Sequence, residues 1–148
     1  MRITSRGRNA LTAMIFIGHQ YQLGDSVSVS QISETLGMSK LYLDQIFLQL
    51  RRGGGMLRPV KGAPGRYTLS KTPNLITVYD ILSMFESSIF EDTEETVADE
   101  YPEIELVMQN RVFTPVNELL ADFFEKITLE DLVRDMEYQK ESENMFYI

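Results

Sequence analysis

The chain has 148 residues, no cysteine, one histidine, and 22 acidic against 14 basic side chains, for a formal net charge of −8. Without thiols there are no disulfides, thiolate zinc sites, thiolate-held iron–sulfur clusters or cysteine nucleophiles. The single histidine excludes a Ser-His-Asp triad unless His19 itself serves. With 43% hydrophobic and 24% charged residues, the composition is that of a globular chain: one domain, or a small domain with an appendage.

No apolar run approaches the roughly 20 residues of a spanning helix, and Ala13–Ile17 is too short for a signal sequence. A cytoplasmic protein with no membrane partner is expected. The charge is unevenly spread. Residues 1–71 carry ten Lys/Arg against three acids, a net of +7, and residues 72–148 carry four against nineteen, a net of −15. A basic half beside an acidic half implies two roles, and phosphate contact belongs to the basic one.

In chain order, Thr4 to about Gln20 reads as a helix capped by Thr4 or Ser5, with Ala10, Leu11, Met14, Ile15 and Ile17 on its apolar face. His19 falls near its C-terminal end, where the macrodipole favours a basic group. Gly18 and Gly24 are expected to bracket a loop. Ser28 opens a second helix, with Gln31 three residues on in a capping-box arrangement. Ile32 and Leu36 face the core, and Gly37 ends the helix in the left-handed region that glycine enters without steric cost.

Ser39 caps a third helix, Lys40 to about Arg52, with a buried stripe of Leu43, Ile46, Phe47 and Leu50. Gly53–Gly55 stops it. Met56–Val60 and Arg66–Leu69 read as two short strands around the turn Lys61–Gly65. Together these make a helix-turn-helix with a hairpin wing, so DNA is the first partner to consider.

Lys40, Tyr42, Asp44, Gln45, Gln49, Arg51 and Arg52 lie opposite the buried stripe. Ser39, Lys40 and Tyr42 are placed to fix phosphates. Gln45 can read adenine by a two-point hydrogen bond, and Asp44 can accept from the cytosine amino group. For each of these two, an ordinary polar helix face is the alternative. Lys61 and Arg66 suit the wing, since the minor groove attracts cations. Arg2, Gln49 and Arg51 complete the candidate DNA-binding set.

Thr77 caps a fourth helix running to about Ser87. Residues 86–102 are acidic and without periodicity, and are expected to form a solvated loop. A long helical stripe follows: Ile104, Met108, Val112, Val116, Leu119, Leu120, Phe123, Phe124 and Ile127. Pro115 should kink this helix, because it removes the hydrogen bond to Arg111. The stripe is too apolar for a peripheral helix. A homodimer through Met108, Val112, Val116, Leu119, Leu120 and Phe123 is the economical reading, matching two-fold operators; packing within one chain is the alternative. Thr128 starts a last short helix through Val133, and a polar tail ends in Met145-Phe146-Tyr147-Ile148.

Several motifs together resemble the Rrf-type family of bacterial winged-helix transcription regulators. They are Met1-Arg2-Ile3-Thr4-Ser5-Arg6-Gly7-Arg8, Tyr42-Leu43-Asp44-Gln45-Ile46-Phe47 with Leu50-Arg51, Val60-Lys61-Gly62 through Tyr67, Ile76-Thr77-Val78-Tyr79-Asp80-Ile81 and Ile127-Thr128-Leu129-Glu130-Asp131-Leu132. The resemblance runs nearly end to end. It implies a repressor that binds a double-stranded operator as a homodimer, with Tyr42, Asp44 and Gln45 on the recognition helix, Lys61 at the wing and the long helix as the seam. Cluster-binding members carry three cysteines before the long helix. Here that loop reads Glu91-Asp92-Thr93-Glu94-Glu95-Thr96, so no cofactor is expected.

Met145, Phe146, Tyr147 and Ile148 are similar to the tail of the family's cysteine-metabolism branch. That implies docking to cysteine synthase, by capture of a carboxylate and apolar side chains. The alternative is a tail folded back on its own domain.

The expected architecture is mostly α with a small β-hairpin wing: a winged helix-turn-helix domain over 1–75, dimerisation helices over 76–136 with the acidic loop 86–102, and a flexible tail over 137–148. The function read from it is a repressor of sulfur or cysteine metabolism genes. The alternatives are a regulator that senses a small molecule or redox state directly, and an interaction adaptor that does not bind DNA. An enzyme is not expected, because no phosphate-binding loop or plausible catalytic set is present.

Overall fold

The computed structural model describes residues 3–53 and 55–146. Arg2, expected at DNA, and Tyr147 and Ile148, expected at a partner, lie outside the described residues.

Helix α1 (Ser5–Gln22) starts at Thr4, whose hydroxyl accepts from the Gly7 N–H. Strand β1 (Val27–Ser28) follows, then α2 (Val29–Leu36), α3 (Lys40–Arg52), β2 (Leu57–Pro59) and β3 (Arg66–Leu69). The three strands form an antiparallel sheet in the order β1-β3-β2, with Val27 opposite Tyr67 and Leu57 opposite Leu69. The expected wing is therefore a three-stranded sheet. Two residues are too few to show alternation, so β1 is invisible to periodicity.

The helix-turn-helix closes as its residues predict. Ser28 Oγ accepts from the Gln31 N–H and Ser39 Oγ from the Tyr42 N–H. Gly37 sits at φ 67°, ψ 28°, where a side chain would be strained. Ser33 Oγ donates to the Met38 carbonyl at 2.6 Å, fastening the turn. The capping box at Ser28 is half made: Ser28 is also the last residue of β1, paired with Arg66, and the Gln31 side-chain oxygen is buried without a partner.

A short 3-10 turn, Pro73–Leu75, leads to α4 (Val78–Ser83) and α5 (Ser87–Phe90). The expected loop over 86–102 thus begins with a helical turn. Phe90 stacks edge-on between Tyr79 and Phe124, and Glu86 is buried. These contacts come from distant elements, so local acidity gave no sign of them.

The long helix is α6 (Pro102–Met108), a π turn (Gln109–Phe113) and α7 (Thr114–Glu125). The Thr114 N–H donates to the Gln109 carbonyl, a five-residue span. The wider turn falls just before Pro115, which has no N–H to donate and whose ring would press on the Arg111 carbonyl in a regular helix.

The last helix, α8 (Leu129–Phe146), does not stop at Val133. Residues 137–146, expected as flexible tail, continue it, since the Glu, Gln and Lys residues there favour helix and no Gly or Pro breaks it.

The main core joins both halves. Ala10, Ala13, Met14 and Ile17 of α1 meet Ile32, Leu43, Ile46 and Leu50, but also Ile76, Ile81, Leu129 and Val133. Residues 1–75 therefore do not close their own core; α8 returns to complete it against α1. Gly18 is part of that contact rather than a loop boundary. It is buried within α1, and a Cβ there would lie 3.1 Å from Leu129 and Val133.

Candidate nucleic-acid interface

Helix α3 is divided into two faces. Leu43, Ile46, Phe47 and Leu50 are buried as predicted, which fixes the opposite side outward. Each such Leu or Ile contributes about 1.5–3 kcal/mol by its burial, so the helix cannot roll without losing the core. Lys40, Asp44, Gln45 and Arg52 are exposed on the outward side, and Tyr42 is half-buried against the core. A cleft of about 570 Å³ opens between the first turns of α2 and α3 and the wing, with Ser30, Lys40 and Asp44 on one wall and Pro64 and Gly65 on the other. Two helix N-termini beside a lysine form a setting that favours phosphate oxygens.

Three expected contacts are engaged within the chain. Gln49 is turned inward, where its Nε2 donates to the Met84 carbonyl and ties α3 to the end of α4. Arg66 is not free at the wing: its Nε donates to Ser26 Oγ at 2.7 Å and an Nη to the Ser26 carbonyl. Arg51 lies over the Tyr67 ring, 5.1 Å from its centre, and Tyr67 meets Phe47 edge-on. Arg51 thus braces the wing against α3, and Arg66 ties β3 to the segment that enters β1. Neither partner could be foreseen, because both contacts bridge elements far apart in sequence. Lys61 is exposed in the wing turn, as expected.

The electrostatics of this half are distinctive. Among the described residues, no Lys or Arg of residues 3–71 is paired with a carboxylate; the ion pairs are those of Arg134 with Asp131 and Asp135, and His19 Nδ1 lies 3.2 Å from a Glu137 carboxylate oxygen. Nineteen acids in the other half leave these cations available. Sequence reasoning missed Leu41, Leu48 and Arg58, all exposed on α3 or β2. Helical spacing places Leu41 and Leu48 among Asp44, Gln45 and Arg52, a signal present but unused.

A second surface lies along α6 and α7. Val112, Val116, Leu119 and Phe123 are exposed, Leu119 to 69%. Met108 is half-buried. Leu120 departs from the expected seam by turning inward to the small cluster of Val78, Leu82 and Phe124. It lies one position from Leu119 and so about 100° around the helix.

The donor set does not fit an iron–sulfur cluster. The chain has no cysteine, and among the described residues no group of three or more His, Cys, Asp or Glu could hold an ion. The loop before the long helix is held instead by buried Glu105, whose Oε2 accepts from the Thr96 and Val97 N–H groups.

The family model Rrf2 (iron-dependent transcriptional regulator) matches residues 3–135. The HTH-type transcriptional regulator IscR of Pectobacterium atrosepticum is 33% identical over 137 residues, covering 93% of this chain and 82% of that protein. CymR of Bacillus subtilis is 30% identical over 148 residues, all of both chains. The solved structure of CymR, the global cysteine regulator of B. subtilis, superposes with a TM-score of 0.70 over 90% of this chain and 97% of that one, at 28% identity. T. potens IscR gives 0.67 over 92% and 88%, at 26% identity. These relatives are named as transcriptional regulators, not enzymes. Among the described residues, no helix is long and apolar enough to cross a membrane.

Proposed function

The chain belongs to the Rrf2 family of transcriptional regulators, and on that premise we propose that it is a cytoplasmic repressor binding a two-fold operator as a homodimer. The observation that carries this reading is a basic half whose Lys and Arg side chains, among the described residues, have no carboxylate partner, centred on an α3 whose outward face holds Lys40, Asp44 and Gln45. Lys40 and Lys61 contact phosphates, while Asp44 and Gln45 read bases. Enrichment from a pool of random duplexes tests it. A two-fold site with half-sites about one helical turn or a multiple apart is expected; a pool that enriches no sequence overturns it.

The dimer forms through Val112, Val116, Leu119 and Phe123, supported by their exposure as one apolar stripe. The genes controlled serve sulfur or cysteine metabolism, and cysteine synthase modulates binding through Met145–Ile148. Two observations support that part: likeness to CymR along the whole chain, and the 78% exposure of Met145 near the end of α8. Deleting Ile148 should abolish association with cysteine synthase and leave operator binding unchanged; unaltered association rejects the docking.

A second reading, direct sensing of a small molecule, is favoured by a cleft of about 520 Å³ between α1 and α8. Ile15, Phe16, His19, Leu132 and Met136 line it, and the volume is within the range of ligand sites.

A further inference from the structure

We infer that Leu41 reads a thymine methyl group and sets a thymine requirement in each half of the operator. The inference rests on the DNA-binding reading above and adds a specificity residue to it.

Leu41 is the second residue of α3 and is 72% exposed. At 100° per residue, Leu41 and Leu48 fall within about 20° of one another around the helix, with Asp44 on one side, Gln45 on the other and Arg52 two turns or more beyond. They lie opposite Leu43, Ile46, Phe47 and Leu50, the buried stripe. The middle of the outward face is therefore apolar, and its flanks carry the two side chains able to read base edges.

A single exposed leucine needs no explanation. One at the centre of a face that meets a polyanion does, because a leucine offers phosphate nothing and loses nothing by leaving water. In the major groove the only apolar projection from a base edge is the 5-methyl of thymine. Residues at the start of a recognition helix reach the base edges, and Leu48 lies about 10 Å further along the axis. Leu41 is thus the leucine positioned for the methyl. Asp44 and Gln45, one turn further on, take the neighbouring bases.

The test uses the full chain and a duplex enriched from random sequence, in which each thymine is replaced in turn by deoxyuridine. That change removes only the methyl and leaves base pairing intact. By fluorescence anisotropy, each replacement at the thymine read by Leu41 should weaken binding by about four-fold, the worth of one buried methyl group, so that one in each half-site together weakens it by roughly fifteen-fold. Leu41→Ala should bind the thymine and deoxyuridine duplexes equally. If no replacement weakens wild-type binding, or if Leu41→Ala remains as sensitive as wild type, Leu41 does not read a methyl. Those outcomes are distinct from a pool that enriches nothing, which removes the DNA-binding reading and this inference with it.

Discussion

Thr77 and Thr128 face one another in an isolated antiparallel bridge. The Val78 N–H donates to the Ile127 carbonyl and the Leu129 N–H to the Ile76 carbonyl, both at 2.8 Å. Each threonine opens a helix through the same reciprocal cap, Thr77 with Asp80 and Thr128 with Asp131. The bridge aligns the starts of α4 and α8, and α8 then completes the core beneath α1. Thr128→Ala should cost about 1 kcal/mol, lowering the melting temperature by about 3 °C. Calorimetry checks this; an unchanged transition would mean that the cap is not coupled to the core.

The same cap predicts an acid limb of stability. Hydrogen bonding to Thr128, aided by the Arg134 guanidinium, holds the Asp131 carboxyl below its ordinary value of 3.8. A carboxylate depressed in the folded state stabilises fully above its unfolded pKa, and the contribution fades as pH falls through the lower folded value. Asp131→Asn should therefore be less stable than wild type at neutral pH, with the gap narrowing below pH ~4. Urea unfolding between neutral and acidic pH measures it, and a constant gap would refute it.

Gly7 is buried against Glu86, whose Oε1 accepts from both the N–H and the hydroxyl of Thr4 at 2.7 and 2.6 Å. A Cβ on Gly7 would lie 2.2 Å from that oxygen. Gly7→Ala must displace the carboxylate that caps α1, and should cost about 1–3 kcal/mol. Chemical denaturation reads the loss; wild-type stability in the variant would show that Glu86 can swing away freely.

Gln45 and Gln49 lie one turn apart and should behave oppositely. Gln45→Ala should weaken specific binding more than non-specific binding and leave stability within about 0.5 kcal/mol. Gln49→Ala should destabilise the fold by about 1 kcal/mol through the lost bond to Met84 and leave sequence preference intact. Parallel melting and binding titrations separate the two; equal effects on both properties would erase the distinction.

The contrast shows where sequence patterns inform. Capping residues, Gly37 and the α3 stripe were legible because each depends on neighbours within a turn or two. Lys61, Asp44 and Gln45 could be placed outward by the same periodicity. Gln49, Arg51 and Arg66 could not be resolved, since whether a long polar side chain meets solvent, Met84, Tyr67 or Ser26 depends on tertiary approach. Likewise the extent of α8 was hidden, because exposed Glu, Gln and Lys suit a helix and a tail equally well.

Leu119→Glu should separate a dimer into monomers, since burying an unpaired carboxylate in an apolar seam costs several kcal/mol. Sedimentation velocity of wild type and variant decides it. A dimer that persists in the variant places the interface elsewhere.

Phosphate contact by the basic half makes DNA binding salt-dependent. The direct measurement is affinity for the enriched duplex from about 50 to about 200 mM salt. With about six phosphates neutralised per complex, affinity should fall roughly 10³-fold, and Lys61→Ala should flatten the slope. Affinity that is indifferent to salt would mean that the basic half does not contact phosphates.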